Sequence, residues 1–180
     1  MPSCDAARPS HCPCCGAASR PIGKAMVLVG HGLVRRQVLG PQCARGTPVQ
    51  TVVTLRRYRC RACKAVLRVG PRGLVSRRWY SGGAIALALV AYGAGETSAQ
   101  ARLRTSPFPR VGTSATERWA TLERWIEAAR GGQLFGVTGL EALGRRRVAE
   151  QVSLALSARG GRALGEDPAE SAFEGAAIAA

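Results

Sequence analysis

Two short stretches of the sequence decide the fold: Cys12-Pro13-Cys14-Cys15-Gly16 and, 44 residues further on, Cys60-Arg61-Ala62-Cys63. Each is a C-x-x-C pair, in which two intervening residues let a tight turn direct both sulfurs at one ion. Gly16 follows the first pair and supplies the permissive backbone that such a turn needs, whereas Lys64 takes that place after the second. Two pairs complete a four-thiolate shell, so the sequence predicts a structural zinc site at Cys12, Cys15, Cys60 and Cys63.

Other uses of the cysteines are weighed against this site. The chain has seven cysteines, and its N-terminus has no apolar signal segment, which favours thiolate metal ligands over disulfides. A redox C-x-x-C needs a strand-to-helix context, which neither pair has. Iron fits the same four-sulfur cage as zinc. The remaining candidate ligands have no assigned role: Cys4, Cys14, Cys43, His31, and His11, which lies beside a predicted ligand.

Basic residues are concentrated in the first half of the chain. The 180 residues carry a net charge of +15, which favours polyanionic partners, with nucleic acid ahead of an anionic membrane surface. Only Lys24 and Lys64 are lysines, so a coding bias toward arginine explains part of the excess. It does not explain why fifteen Arg or Lys lie between Asp5 and Glu96 with no acid among them. This asymmetry indicates a surface that faces phosphates.

The apolar periodicity predicts an α+β fold, in which an N-terminal β-rich four-cysteine zinc ribbon precedes a trihelical helix-turn-helix and a further C-terminal helix. The expected parts are a flexible leader (1–11), the ribbon (12–72), the helix-turn-helix-like domain (78–131), the C-terminal helix (138–159) and a disordered tail (160–180). Strands are expected over Val27–Val38, Val49–Tyr58 and Ala65–Val69. The longest apolar run, Ala84–Tyr92, is too short to span a membrane, and a cytoplasmic location is expected.

Capping signals underlie the helix-turn-helix prediction. Ser81 caps a helix that runs to Tyr92, and two capping boxes open the others, Thr97-Ser98-Ala99-Gln100 before Arg104 and Ser114-Ala115-Thr116-Glu117 before Arg130. The turn between the first two helices is short and contains glycine, as the motif requires. The third helix would enter the major groove of DNA, while Trp119 and Trp125 are expected in the core.

Candidate nucleic-acid contacts follow from this arrangement. Phosphates would be contacted around the second cysteine pair and just before the first helix, and base edges from the third helix. The phosphate candidates are Arg56, Arg57, Arg59, Arg61, Lys64, Arg77 and Arg78, and the groove candidates are Arg118 and Arg124. A plain helical bundle with solvated arginines is the simpler alternative.

Several motifs resemble the zinc-ribbon front end of insertion-sequence transposases, and of small bacterial proteins of unknown function that join this ribbon to a helix-turn-helix. They are Cys12-Pro13-x-Cys15-Gly16, Gly30-His31-Gly32 and Arg56-Arg57-Tyr58-Arg59-Cys60-Arg61-Ala62-Cys63. Thr121-Leu122-x-Arg124-Trp125 is similar to the third-helix pattern of transposase-type helix-turn-helix domains. The resemblance covers about residues 12 to 130 and implies the DNA-recognition half of such a protein.

The resemblance does not extend to catalysis. Transposases of this kind carry a downstream nuclease domain, and the acids after Glu96 provide no inward-facing set that could hold two divalent ions. The sequence therefore predicts a non-enzymatic, nucleoid-associated protein that binds double-stranded DNA and contains structural Zn²⁺. The alternatives are an RNA- or ribosome-associated ribbon, a protein-interaction module of a larger complex, and a thiol-redox or nuclease enzyme.

Overall fold

A computed structural model of the chain describes residues 3–108, 118–161 and 167–179. These residues form an α+β fold, as the sequence predicts, with three strands followed by five helices. No helix among them has the length and apolar character needed to cross a membrane. The elements are β1 (Leu28–Gly40), β2 (Val49–Cys60), β3 (Val66–Val69), α1 (Gly82–Gly93), α2 (Ser98–Thr105), α3 (Ala120–Arg130), α4 (Arg145–Arg159) and α5 (Pro168–Ala179).

The chain divides into two compact units. The first, here called the cysteine unit, comprises Met1–Gln37 and Val52–Pro71. The second, the helical unit, comprises Val38–Thr51 and Arg72–Ala180, and therefore includes the end of the β1–β2 hairpin. The sequence predicted one ribbon over residues 12–72, but the hairpin end within that range belongs to the helical unit. The reason is local hydrogen bonding, because Leu39 pairs with the segment that leads into α1.

The three strands form an antiparallel sheet in the order β1-β2-β3. Tyr58 in β2 is fully buried, and its hydroxyl donates a 2.6 Å hydrogen bond to the carbonyl of Cys4. The Arg8 guanidinium lies 5.8 Å from the centre of the Tyr58 ring and 2.7 Å from Asp5. Residues 4–8 thus contact the sheet, which the prediction of a flexible leader did not include. A buried tyrosine hydroxyl needs a partner, and this segment supplies it.

Helix α1 is the central element of the helical unit. Its residues from Gly82 to Leu89 are all buried, and it packs against each of the other four described helices. A helix that is apolar on every side is stable only inside a protein. It begins as predicted, because the Ser81 hydroxyl accepts a 3.1 Å hydrogen bond from the backbone amide of Ala84.

Three aromatic rings belong to the same core. Tyr80, Trp119 and Trp125 meet edge to face, with ring centres between 5.0 and 5.8 Å apart. Trp119 and Trp125 are 7% and 2% exposed, which confirms their predicted place in the core. Trp119 is the residue that precedes α3, although the sequence pattern placed it within the helix.

The capping box over Thr97–Gln100 is confirmed, with both of its reciprocal hydrogen bonds formed. The other predicted box, Ser114-Ala115-Thr116-Glu117, lies outside the described residues. The predicted start of the last helix at residue 138 is wrong, because α4 begins at Arg145. Gly139 has a φ of +79°, which is incompatible with a right-handed helix. Leu140 is still buried, which accounts for the misleading apolar spacing.

The predicted disordered tail is also wrong over most of its second half. Residues 168–179 form α5, which packs against both α4 and α1. The contact depends on missing side chains, since a Cβ on Gly175 would overlap the backbone carbonyl oxygen of Leu156. At its start, Asp167 Oδ1 accepts a 2.9 Å hydrogen bond from the amide of Ala169. An Ala- and Gly-rich composition is ordered here because it permits close backbone packing.

Gly175→Ala should destabilise the helical unit by about 3 kcal/mol, because the added methyl group meets backbone that cannot rotate away. Gly131→Ala is the matched control, since its Cβ would lie 3.6 Å from the Glu127 carbonyl oxygen at an ordinary φ of −82°. Denaturant unfolding followed by tryptophan fluorescence measures the difference, because all three tryptophans lie in this unit. Equal stabilities of the two variants would contradict the close packing of α4 and α5.

Candidate functional site

The first cysteine pair lies in a tight loop stabilised by its own backbone. The amide of Cys12 donates to the carbonyl of Ala17 at 2.9 Å, and the amide of Gly16 donates to the carbonyl of Cys12 at 2.8 Å. Gly16 has a φ of +70°, a region that glycine enters without steric cost. The loop therefore turns sharply enough to present the sulfurs of Cys12 and Cys15 on the same side.

The second cysteine pair adopts the same loop at the end of β2. The Cys60 amide donates to the Ala65 carbonyl at 2.9 Å, and the Lys64 amide donates to the Cys60 carbonyl at 2.9 Å. Lys64 has a φ of +65°, so it occupies the left-handed position that Gly16 occupies in the first loop. Its ammonium group donates a 2.8 Å hydrogen bond to the Arg61 carbonyl. The predicted equivalence of the two positions is confirmed.

The two loops bring the four predicted sulfurs together. The distance from Cys12 Sγ to Cys63 Sγ is 3.7 Å, that from Cys15 Sγ to Cys60 Sγ is 3.8 Å, and all four lie within 4.8 Å of one another. A tetrahedral ion with metal–sulfur bonds of about 2.3 Å requires sulfurs about 3.8 Å apart. Disulfide sulfurs would be about 2.05 Å apart. The arrangement fits one metal ion and not a pair of disulfides.

Apolar residues cover one side of the sulfur cluster. Cys12 and Cys60 are buried with Leu28, and Val27 and Leu67 pack against them. Cys15 is exposed and Cys63 is half-buried. This core is small for a unit of this size, and small units of this kind usually need a metal or disulfides to fold. A bound ion would therefore contribute directly to the stability of the cysteine unit.

The thiols influence one another's ionisation. Hydrogen bonding from the Cys15 backbone amide, with a contribution from that of Cys14, lowers the pKa of Cys12 to about 7. The Ala17 amide lowers the pKa of Cys15, but the neighbouring sulfurs and desolvation outweigh it and raise this pKa to about 12. A thiolate at Cys12 thus opposes ionisation at Cys15. A divalent cation removes the conflict, because cysteines bind metals as thiolates.

The other candidate ligands lie outside the cluster. The metal-ligand group found within the described residues consists of the four predicted cysteines alone. Cys14 and Cys43 are exposed thiols. His11 contacts the hydroxyl of Ser10 through Nδ1 at 3.2 Å, which leaves it a neighbour of the cluster and not a member.

The predicted phosphate contacts on β2 do not share one surface. The pairing of β2 with β3 places Arg57 opposite Arg68 and Arg56 opposite Val69. Successive side chains of a strand point to opposite faces, so Arg57 and Arg59 lie on one face, and Arg56 lies on the other with Tyr58. The single basic track expected from the sequence is therefore divided between two faces of the sheet. Arg61 and Lys64 are exposed in the loop beyond it.

The sequence analysis missed two arginines, Arg36 and Arg68, that belong with Arg57. Counting outward from the Cys60–Ala65 loop pairs Arg57 with Arg68, so the register signal was present in the sequence. Burial, and repulsion from Arg68, lower the pKa of Arg36. Like charges directly across an antiparallel pair destabilise a sheet. No sequence rule for a well-packed sheet favours this arrangement.

The remaining candidates lie in the helical unit. Arg78 and Arg124 line a cavity of about 490 Å³, together with Glu123 and Glu127. Arg118 is 3.0 Å from Glu123 and forms an ion pair with it. Arg77, with a φ of +57°, is exposed in the segment before α1. The structure thus brings Arg78 and Arg124 together but engages Arg118 with an acid.

Comparison with known proteins gives no match to a protein-family model, to a curated protein or to a solved structure. The resemblance to insertion-sequence transposases therefore rests on the motif residues alone.

Cys60→Ser and Cys63→Ser should each weaken binding of one metal ion by more than about 100-fold, because even residues that only support a ligand contribute about 10–100-fold. Cys14→Ser is the matched control, with the same substitution within the first loop at a thiol outside the cluster. Titration with Co²⁺, followed by its thiolate absorption bands, measures the affinity. Tight binding by Cys60→Ser, or its loss in Cys14→Ser, would refute the site.

The two left-handed loop positions should respond in opposite directions. Gly16→Ala should destabilise the cysteine unit by about 1 kcal/mol, because alanine is strained at positive φ. Lys64→Gly should stabilise it by roughly 0.5 kcal/mol, since the relief of strain exceeds the added freedom of the unfolded chain. Thermal unfolding of cobalt-loaded protein, followed by thiolate absorption, reports on this unit. Lys24→Gly is the control, and an equal loss of stability in Lys64→Gly would contradict the assignment.

Proposed function

We propose that this protein binds double-stranded DNA through the basic surface of its cysteine unit, with zinc as a structural ion. One observation carries the proposal, namely the distribution of charge between the units. The cysteine unit contains eleven Arg or Lys and one acid, Asp5. Asp5 is 2.7 Å from both Arg8 and Arg20, so it offsets the charge of its neighbours only. Such a surface attracts a phosphate backbone over several ångströms of solution.

The helical unit differs in this respect. It contains fifteen Arg or Lys and ten Asp or Glu. Six of its arginines lie within ion-pair distance of an acid: Arg45, Arg104, Arg118, Arg130, Arg145 and Arg147. Exposed ion pairs add little stability, but they reduce the field that a distant phosphate experiences. The proposal therefore assigns most of the affinity to the cysteine unit.

Zinc is the proposed ion. A closed shell of four thiolates is the usual arrangement for zinc in a structural role, and it leaves no open position for substrate or water. In the proposed function the ion holds the two loops together and does not react. The DNA contacts are made by arginines near the metal and not by its ligands.

The helix-turn-helix part of the proposal gives α3 the role of reading bases. Arg124 is exposed on this helix and supports a contact with a guanine edge. Arg118 would have to leave Glu123 in order to contact DNA, which makes it the weaker of the two groove candidates. Affinity from the cysteine unit and selectivity from α3 would then be separable properties.

The affinity of the zinc-loaded full chain for duplex DNA should fall steeply as salt rises. Four phosphate contacts give a log–log slope of about −3.6, and therefore about 150-fold weaker binding when salt rises fourfold. Fluorescence anisotropy with a labelled duplex between 50 and 200 mM salt measures the slope.

A metal-free sample and an unlabelled RNA duplex of the same sequence serve as controls. Loss of binding on metal removal supports the structural role of zinc. A flat salt dependence contradicts the proposal, and so does more effective competition by the RNA than by unlabelled DNA.

A further inference from the structure

Two arginines face each other across neighbouring strands in the cysteine unit, and a third lies on the remaining strand of the sheet. Arg57 and Arg68 are direct partners on β2 and β3, and partners in an antiparallel pair project from the same face. A Cβ built on Gly32 would lie 3.6 Å from Arg57 Nη2, so this guanidinium lies over the glycine backbone of β1. Arg36 lies four residues further along β1, and repulsion from Arg68 contributes to the lowering of its pKa.

Beyond Asp5, the cysteine unit supplies no acid that could balance the charges of Arg57 and Arg68. The cysteine unit's one acid, Asp5, is engaged by Arg8 and Arg20. Within the described structure the Nε of Arg57 is buried and has no hydrogen-bond acceptor. A buried charged donor without a partner is costly, and so is a guanidinium facing another across a strand pair. Both costs disappear if an anion lies between the side chains.

We infer that Arg57 and Arg68, assisted by Arg36, bind one phosphodiester group of the nucleic-acid backbone. This inference rests on the proposed function. Guanidinium groups are planar forks that match the oxygens of a phosphate, and they form paired charge-assisted hydrogen bonds with it. The orphaned Nε of Arg57 supplies one donor of such a pair. Gly32 lies beside the Arg57 guanidinium on β1 and has no side chain that could cover it.

The site also predicts which face of the sheet the backbone follows. Arg59 lies two residues after Arg57 on the same face, opposite Val66. Arg56 is on the opposite face with Tyr58 and is not part of the site. A phosphate chain would thus run over the Arg57 face from the centre of the sheet toward the loop that holds Cys60 and Cys63.

The first measurement uses inorganic phosphate and zinc-loaded, ¹⁵N-labelled full chain. The Nε–H signal of Arg57, assigned by its loss in Arg57→Gln, should shift and saturate during a phosphate titration, while chloride at equal ionic strength should not reproduce the shift. Arg68→Gln should reduce the response by at least fivefold. Arg35→Gln is the matched control, because this exposed β1 arginine points to the other face and its loss changes the net charge equally.

The second measurement is the salt dependence of duplex DNA binding. The double variant Arg57→Gln/Arg68→Gln should reduce the log–log slope by about 1 to 2, as expected for lost phosphate contacts. Arg35→Gln should change it by less than half as much. Unchanged cobalt absorption in each variant shows that the cysteine unit is still folded.

The outcomes separate this inference from the proposed function. A saturating Arg57 shift together with the reduced slope supports both. A saturating shift in a protein that does not bind DNA supports the anion site and overturns the proposed function. DNA binding with equal slopes in the double variant and in Arg35→Gln, or a phosphate response that is absent or shared with chloride, overturns the site and leaves the proposed function standing.

Discussion

The meeting of four sulfurs is the interaction on which the cysteine unit depends. It joins two loops that are 44 residues apart in sequence, in a unit whose buried apolar side chains, among the described residues, are Leu28, Leu55, Tyr58 and two of the ligands themselves. Ordering a chain of this length costs about 1–2 kcal/mol per residue, and a core of this size does not offset that cost alone. A metal ion that binds four thiolates offers the missing free energy.

This constraint also explains how a sheet can carry like charges. A sheet stabilised only by side-chain packing would avoid placing Arg57 opposite Arg68, because repulsion would subtract from a small stability. When the strand ends are held by a metal, the surface no longer has to contribute to folding. Its arginines are then available for a partner, and the charge of that partner compensates the repulsion.

Local spacing made the metal site predictable from sequence. Each C-x-x-C pair and its following left-handed residue form a loop whose geometry is determined within about six residues, so neighbours elsewhere do not alter it. The strands and the caps at Ser81 and Thr97 were predictable for the same reason. The contact between residues 4–8 and the sheet was not predictable in this way, because the hydrogen bond from Tyr58 to Cys4 joins residues far apart in the sequence. Arg36 was not predictable either, because it lies on β1 and not on the β2–β3 pair that carries Arg57 and Arg68.

The glycines of the helical unit have a broader consequence. Where α5 meets α4 and α1, Gly83, Gly160 and Gly175 each face an atom that a Cβ would strike. At these positions the packing requires a residue without a side chain, so glycine itself helps to specify the fold. An abundance of Ala and Gly can reflect coding bias or low complexity. In this segment it allows α5 to pack closely against α4 and α1. Sequence measures that weigh only distinctive side chains therefore miss the positions at which a close contact requires glycine.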